Sequence, residues 1–135
     1  QFFNDGEMSP AGFSNSVHNA AAGQFSLLTK NTNTYTSIAA GDDTLEMAIL
    51  KALSEKGDVM VVFAGEHNPE IYGPLLKEPQ NAFGLAFMIK HNGKRAIQIT
   101  KGTGNTDTLT LQSMADFLNG RVDCLTTKNW TMKND

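Results

Sequence analysis

An apolar run between two glycines, Asp58–Ala64, constrains the fold of this chain more than any other stretch. Apart from its first residue the run is entirely apolar, which is typical of a strand buried on both faces in the middle of a parallel sheet. The stretch Thr34–Ala39 has the β-branched and aromatic residues of a second strand, and a helix joins the two. Because a strand, a helix and a strand form a right-handed crossover, we expect two parallel neighbouring strands in an α/β fold.

The connecting helix is expected to begin at Asp43 and to end before Gly57. Asp43 and Glu46 have the spacing of a capping box, and both carboxylates lie at the positive end of the helix dipole. Gly57 follows the last turn, where a C-cap glycine is common. The residues expected to face the core are Leu45, Ala48, Ile49, Ala52 and Leu53.

Another helix is predicted nearer the N-terminus. It starts at Ser9, a good N-cap residue followed by Pro10, and continues to the polar segment Lys30–Asn33. Within it, Ala20–Gly23 removes side-chain bulk over one turn, so that another backbone can approach closely. This pattern is compatible both with packing inside the chain and with a subunit interface.

The C-terminal half is predicted to add an antiparallel hairpin and a last helix. Strands are expected at Ala82–Lys90 and Arg95–Lys101, because the Asn92-Gly93 pair between them is a strong hairpin signal. The last helix is expected at Thr110–Asn119, ended by Gly120. The segment between the apolar run and the hairpin contains Pro69, Pro74 and Pro79, which forbid a long helix there. The tail, with Cys124 and Trp130, has no assignable pattern.

Composition excludes several classes of function. A chain of 135 residues with 40% hydrophobic residues is the size of one domain. Its net charge of −3 is spread without blocks, so neither nucleic acid nor an anionic membrane is an expected partner. No apolar run is long enough to span a bilayer. The single cysteine, Cys124, fits a reducing compartment, and the cytoplasm is the expected location. Because the first residue is Gln1, we expect an upstream segment to be missing.

Three polar residues are candidates for a ligand-binding site. Glu66 and His67 follow the buried strand at its carboxyl end, the edge where open α/β sheets bind ligands. His18 lies in the small-residue helix, where a partly buried imidazole would need a partner. With His91, the histidines show no two-ligand spacing, so no metal site is predicted, and no cofactor motif is found.

Three segments in order resemble a known family. They are S-V-H-N-A-A-A-G-Q (residues 16–24), T-S-I-A-A-G-D-D-T-L-E-M-A-I-L-K-A-L (residues 36–53) and D-V-M-V-V-F-A-G-E (residues 58–66). This order resembles the β-ketoacyl synthase-like N-terminal domain family of thiolase-like proteins, over Ser14 to about Glu66. Beyond Pro69 the resemblance is general. It implies a thiolase-like half domain over residues 1–135, with three α/β/α layers and a mixed sheet of a parallel core and an antiparallel hairpin.

The resemblance also implies what this chain lacks. The acyl-accepting cysteine of the synthases would fall at or beside Ala40, but Ala39, Ala40 and Gly41 offer no nucleophile. The family's second half, which supplies the other catalytic residues, has no counterpart here. Catalysis by this chain alone is therefore not expected, although the family class is acyltransferase.

Cysteine-free relatives pair with an active synthase as chain-length factors, in fatty-acid, polyketide or aryl-polyene synthesis. The resemblance implies a homodimer or a heterodimer with an active ketosynthase through Thr34–Ala39 and the small-faced helix, and an acyl carrier protein as a further partner. Two alternatives remain open. One is a small acyl- or ligand-binding domain, and the other is a non-covalent acyl transferase or hydrolase that uses Glu66 and His67.

Overall fold

The computed structural model describes residues 9–75, 81–93, 96–102 and 109–134. The chain divides into two compact units, Gln1–Gly41 and Asp42–Asp135, and each is described by itself. The last residue of the predicted hairpin turn, 94, and the first residue of the predicted second strand, 95, lie outside the described residues. No helix in the described part of the chain is long and apolar enough to cross a membrane.

The described residues of the first unit form two helices where one was predicted. Helix α1 is Pro10–Asn15 and helix α2 is Ala20–Thr29. As expected, Ser9 caps α1: its side chain accepts a hydrogen bond from the Gly12 amide at 3.0 Å. The helix is interrupted at residues 16–19, where the Ser16 hydroxyl donates to the Phe13 carbonyl at 2.7 Å. Serine and asparagine compete with the helix for backbone hydrogen bonds in this way, which accounts for the break.

The predicted strand Thr34–Ala39 is wrong for the isolated chain, because residues 34–40 have no regular secondary structure. The segment is exposed except for the half-buried Ile38. Just before this segment, the Asn31 side chain accepts a hydrogen bond from the Asn33 amide at 3.0 Å. High strand propensity is not sufficient, since a strand needs a partner for its backbone groups.

The second unit begins with helix α3, Thr44–Leu53, followed by strand β1, Val59–Gly65. Strand β1 pairs antiparallel with β2, Phe83–Ile89, in a register that places Val62 opposite Ala86. A short 3₁₀ helix, Glu70–Leu75, lies in the proline-bearing segment between them. The predicted parallel pairing of β1 is therefore wrong, and so is its burial on both faces. Val61 is buried, whereas Val62 is 59% exposed, the alternation that an antiparallel sheet with one solvated face permits.

A second sheet has the order β3-β5-β4, and both of its pairs are antiparallel. Its strands are β3, Ile97–Lys101, β4, Cys124–Thr126, and β5, Trp130–Asn134. The predicted pairing of β2 with β3 is wrong, because the two strands belong to different sheets. The partner of β3 is β5, in the tail that had no assignable pattern.

Helix α4, Leu111–Leu118, confirms the predicted last helix. Thr110 caps it: its hydroxyl oxygen accepts from the Ser113 amide at 3.1 Å, and the Ser113 hydroxyl accepts from the Thr110 amide at 3.1 Å. Gly120 has a φ of 70°, the left-handed conformation that glycine adopts after a helix.

The core of the second unit lies between α3, α4 and the sheets. Its central side chain is Phe117, with 0% exposure. The other buried members are Leu45, Ile49, Leu109, Met114 and Met132. Helices packed on sheets confirm the α/β fold class.

Candidate functional site

The elbow before α3 has the backbone of a tight turn and carries no nucleophile. Gly41 has a φ of 57° and begins a 3₁₀ helix, Gly41–Asp43, that leads directly into α3. A Cβ at Gly41 would meet no atom within 4 Å, so backbone conformation, and not space, is what favours glycine here. Ala39 and Ala40, both exposed, precede it with methyl groups alone. Nothing in Ala39–Gly41 can form an acyl thioester.

The start of α3 differs from the prediction. Asp43 is the N-cap residue, but its side chain makes no capping hydrogen bond, so the predicted capping box is wrong. Glu46 is 3% exposed and turns into the unit, where it binds Thr127 and Asn129. A buried carboxylate is stable only when its oxygens have partners, and those partners replace the cap. They lie 81 and 83 residues away, so no local pattern could identify them.

Glu66 and His67 lie where the sequence places them, directly after β1. Both side chains are exposed, in a segment without regular structure that continues to Pro69. The structure thus keeps the two residues next to each other at the strand end, with exposed side chains. Their role in ligand binding stays a prediction.

His18 lies in the turn between α1 and α2, not in a helix as predicted. Its side chain is exposed, because the interruption of the helix moves it off the helical face. His18 belongs to the first unit, whereas Glu66 and His67 belong to the second. A ligand-binding role for His18 also stays a prediction.

An open groove between β2 and α4 has a volume of about 290 Å³. Sequence reasoning did not find it, although the alternating apolar residues of β2 and the apolar face of α4 are both visible in the sequence. Gln112 is the one polar residue among the described residues that line this groove. Its lining residues are Phe83, Gly84, Leu85, Leu111, Gln112 and Ala115.

Charge beside this groove is concentrated at Asp116. The Gln112 amide donates to both carboxylate oxygens at 3.0 Å, and Arg121 Nη1 donates to Oδ1 at 2.9 Å. These bonds, the one from Gln112 first, hold the pKa of Asp116 below its ordinary value. In the described residues, no three histidine, cysteine, aspartate or glutamate side chains group in a way that could hold a metal ion.

Comparison with known proteins identifies the family of this α/β domain. The family model described as "Beta-ketoacyl synthase, N-terminal domain" matches residues 1–131. The chain belongs to this family, as its sequence segments indicated. A search of curated protein sequences found no match.

A solved structure shares the fold. It is the ketosynthase (ApeO) in complex with its chain length factor (ApeC) from Xenorhabdus doucetiae, one chain of which matches with a TM-score of 0.73 and 21% sequence identity. The match covers 98% of the present chain and 61% of the other, so this chain spans about three fifths of the matched chain. This likeness confirms the predicted thiolase-like α/β fold class.

Proposed function

We propose that this chain is a non-catalytic, ketosynthase-like subunit that pairs with an active ketosynthase and helps to shape its acyl-chain tunnel, as a chain-length factor does. The family membership and the elbow without a nucleophile support this function. The solved complex of a ketosynthase with its chain length factor supports it through the shared fold. The product would be an acyl chain of the fatty-acid, polyketide or aryl-polyene type.

The observation that carries the proposal is the surface of residues 9–41. Lys30 is the one charged residue in this range, and none of these residues is buried. Large apolar side chains are exposed along it: Phe13, Val17, Phe25, Leu27, Leu28 and Tyr35. Depletion of charge together with exposed aromatic and aliphatic side chains is typical of the centre of a protein interface. A stretch of this length is also too short to hold a core of its own.

The proposed contact uses α2 and residues 34–39. Alanines at the start of α2 let a partner backbone approach closely, although the Tyr35 hydroxyl would lie 3.3 Å from a Cβ at Gly23. Residues 34–39 have the composition of a strand, but they pair with no strand among the described residues. Pairing with a strand of the other subunit would satisfy their backbone groups and turn this segment into the predicted strand. The ketosynthase would then supply the cysteine that the elbow lacks.

Several further assignments belong to this proposal. Residues 1–135 act as one N-terminal-type domain. The pair works in the cytoplasm and receives acyl groups from an acyl carrier protein. A homodimer is the alternative assembly through the same surface.

Co-expression with a cysteine-bearing ketosynthase of the same organism tests the proposal. We expect a stable complex by light scattering, and we expect Leu28→Lys to break it, because Leu28 is 85% exposed on α2. The matched control is Leu50→Lys, at a residue 49% exposed on α3 of the second unit, which should leave the complex intact. A chain that stays alone with every such ketosynthase, or a complex that L50K breaks and L28K does not, would refute this assignment.

The groove between β2 and α4 favours a second candidate function, the binding of a small acyl ligand by this chain alone. Native mass spectrometry of the purified protein distinguishes this function from the role of a ketosynthase partner. A retained acyl chain that is lost in Ala115→Phe, which fills the groove, would favour the ligand-binding domain. Protein free of ligand would favour the partner subunit.

A further inference from the structure

The carboxylate of Glu46 connects two distant parts of the second unit. It lies in the first turn of α3, and its Oε1 accepts a hydrogen bond from the Thr127 hydroxyl, while Oε2 accepts from Asn129 Nδ2 at 2.7 Å. Thr127 is itself 2% exposed. Among the described residues no buried side-chain nitrogen or oxygen lacks a partner, so this network is complete.

The turn that Glu46 binds is fixed from other sides as well. The Thr127 amide donates to the Trp130 carbonyl at 2.7 Å, which closes the turn between β4 and β5. The Gly102 amide, at the end of β3, donates to the Asn129 carbonyl at 2.6 Å. This turn is therefore a rigid element, and Glu46 joins it to the start of α3.

Stability alone is a poor explanation for a carboxylate at this place. Burial of a charge carries a desolvation cost, and apolar residues of similar volume often give equal or greater stability. If Glu46 were exposed, its carboxylate could cap the start of α3. The structure has no such capping hydrogen bond. What the network adds over an apolar contact is direction, because hydrogen bonds allow only a narrow range of geometries.

We propose that Glu46 is a positioning residue that holds the first turn of α3, next to the elbow, in register with the β4–β5 turn, so that loosening one loosens the other. This goes beyond the proposed function, since it holds whether or not the chain pairs with a ketosynthase.

Amide hydrogen exchange on the whole protein tests the coupling. Asn129→Ala removes one donor and Thr127→Val removes the other with little change of shape. Both should speed exchange of residues 42–46, on the other side of the network, by about tenfold, because each leaves a buried carboxylate oxygen without a partner. Glu46→Gln should speed exchange of residues 127–130 by less, because the amide keeps one acceptor.

Two control variants separate positioning from general destabilisation. Val61→Ala creates a cavity at a buried residue of β1 outside the network and should speed exchange across the second unit without favouring residues 42–46. Glu55→Gln makes the same substitution at an exposed position, and it should leave amide exchange unchanged both in residues 42–46 and in residues 127–130. If E46Q does not fold, N129A gives the same test with the carboxylate still bound to Thr127.

Unchanged exchange of residues 42–46 in N129A and T127V would overturn the proposal. A rise spread evenly over the second unit, as in V61A, would overturn it too, because it would reduce Glu46 to an ordinary contributor to stability. A selective rise at both ends of the network, from changes made at either end, is the result that the proposal requires.

Discussion

Residues 9–41 and residues 42–134 are both built around a ten-residue helix, but different forces hold the two helices. Helix α3 buries Leu45, Ile49 and Ala52 in a core, whereas α2 has no buried residue. The first region has one charge, and the second has acidic and basic residues across its surface. The difference teaches that a core of buried side chains holds the second region, whereas none of the described residues of the first region is buried.

The largest expected difference is in hydrogen exchange of the two helices. Helices without tertiary packing are marginal at this length, so amides of α2 should exchange about a hundredfold or more faster than those of α3. Binding of a ketosynthase should slow exchange in α2 and leave α3 nearly unchanged. Equal protection of both helices in the free protein would break the comparison.

A matched pair of phenylalanines tests where the stability lies. Phe117→Ala removes a fully buried ring and should lower the free energy of unfolding by about 3–5 kcal/mol. Phe25→Ala, at a residue 50% exposed on α2, should change it by less than about 0.5 kcal/mol. Urea denaturation measures both, and a large loss in F25A would show that the first region belongs to the same core.

Alanine substitutions at two glycines of the second region test how closely its backbone segments pack. A Cβ at Gly102 would lie 2.6 Å from the backbone carbon of Asn129, so Gly102→Ala should cost about 1–3 kcal/mol as β3 and the β4–β5 turn are forced apart. A Cβ at Gly57 would meet nothing within 4 Å, so Gly57→Ala should be nearly neutral. Similar thermal melting of the two variants would contradict the close approach at Gly102.

The smallest expected effect is a pH dependence confined to the second region. Because the folded-state pKa of Asp116 is lowered, its contribution to stability is present above the unfolded value of 3.8 and is lost as the pH falls through the folded value. Gln112→Ala and Arg121→Ala should each raise this pKa towards 3.8, as measured by NMR titration. Residues 9–41 contain no carboxylate side chain, so exchange of α2 should show no matching change over this range.

Local signals in the sequence predicted much of the second region. The predicted stripe of α3 is buried at Leu45, Ile49 and Ala52 but exposed at Leu53. The predicted last helix and the left-handed Gly120 after it depend on neighbours within a few residues, and both are present. The absence of a nucleophile at Ala39–Gly41 is likewise a property of the sequence alone.

What could not be predicted depends on contacts between distant residues. The pairing of β3 with β5 joins Ile97 to Asn134, and the burial of Glu46 depends on the β4–β5 turn. The residues around Glu46 are compatible both with a capping box and with a buried hydrogen-bond network. Sequence spacing alone therefore favours the capping box, which is the commoner of the two. The groove between β2 and α4 arises in the same way, from elements that meet only in the folded unit.

The measurement that tests the central claim most directly is intact-mass analysis of the complex with an active ketosynthase after exposure to an acyl thioester or to cerulenin. The account predicts a covalent adduct on the ketosynthase cysteine and none on this chain in the Cys124→Ser variant, which removes its only and exposed thiol. An adduct on C124S at or beside Ala39–Gly41 would contradict it.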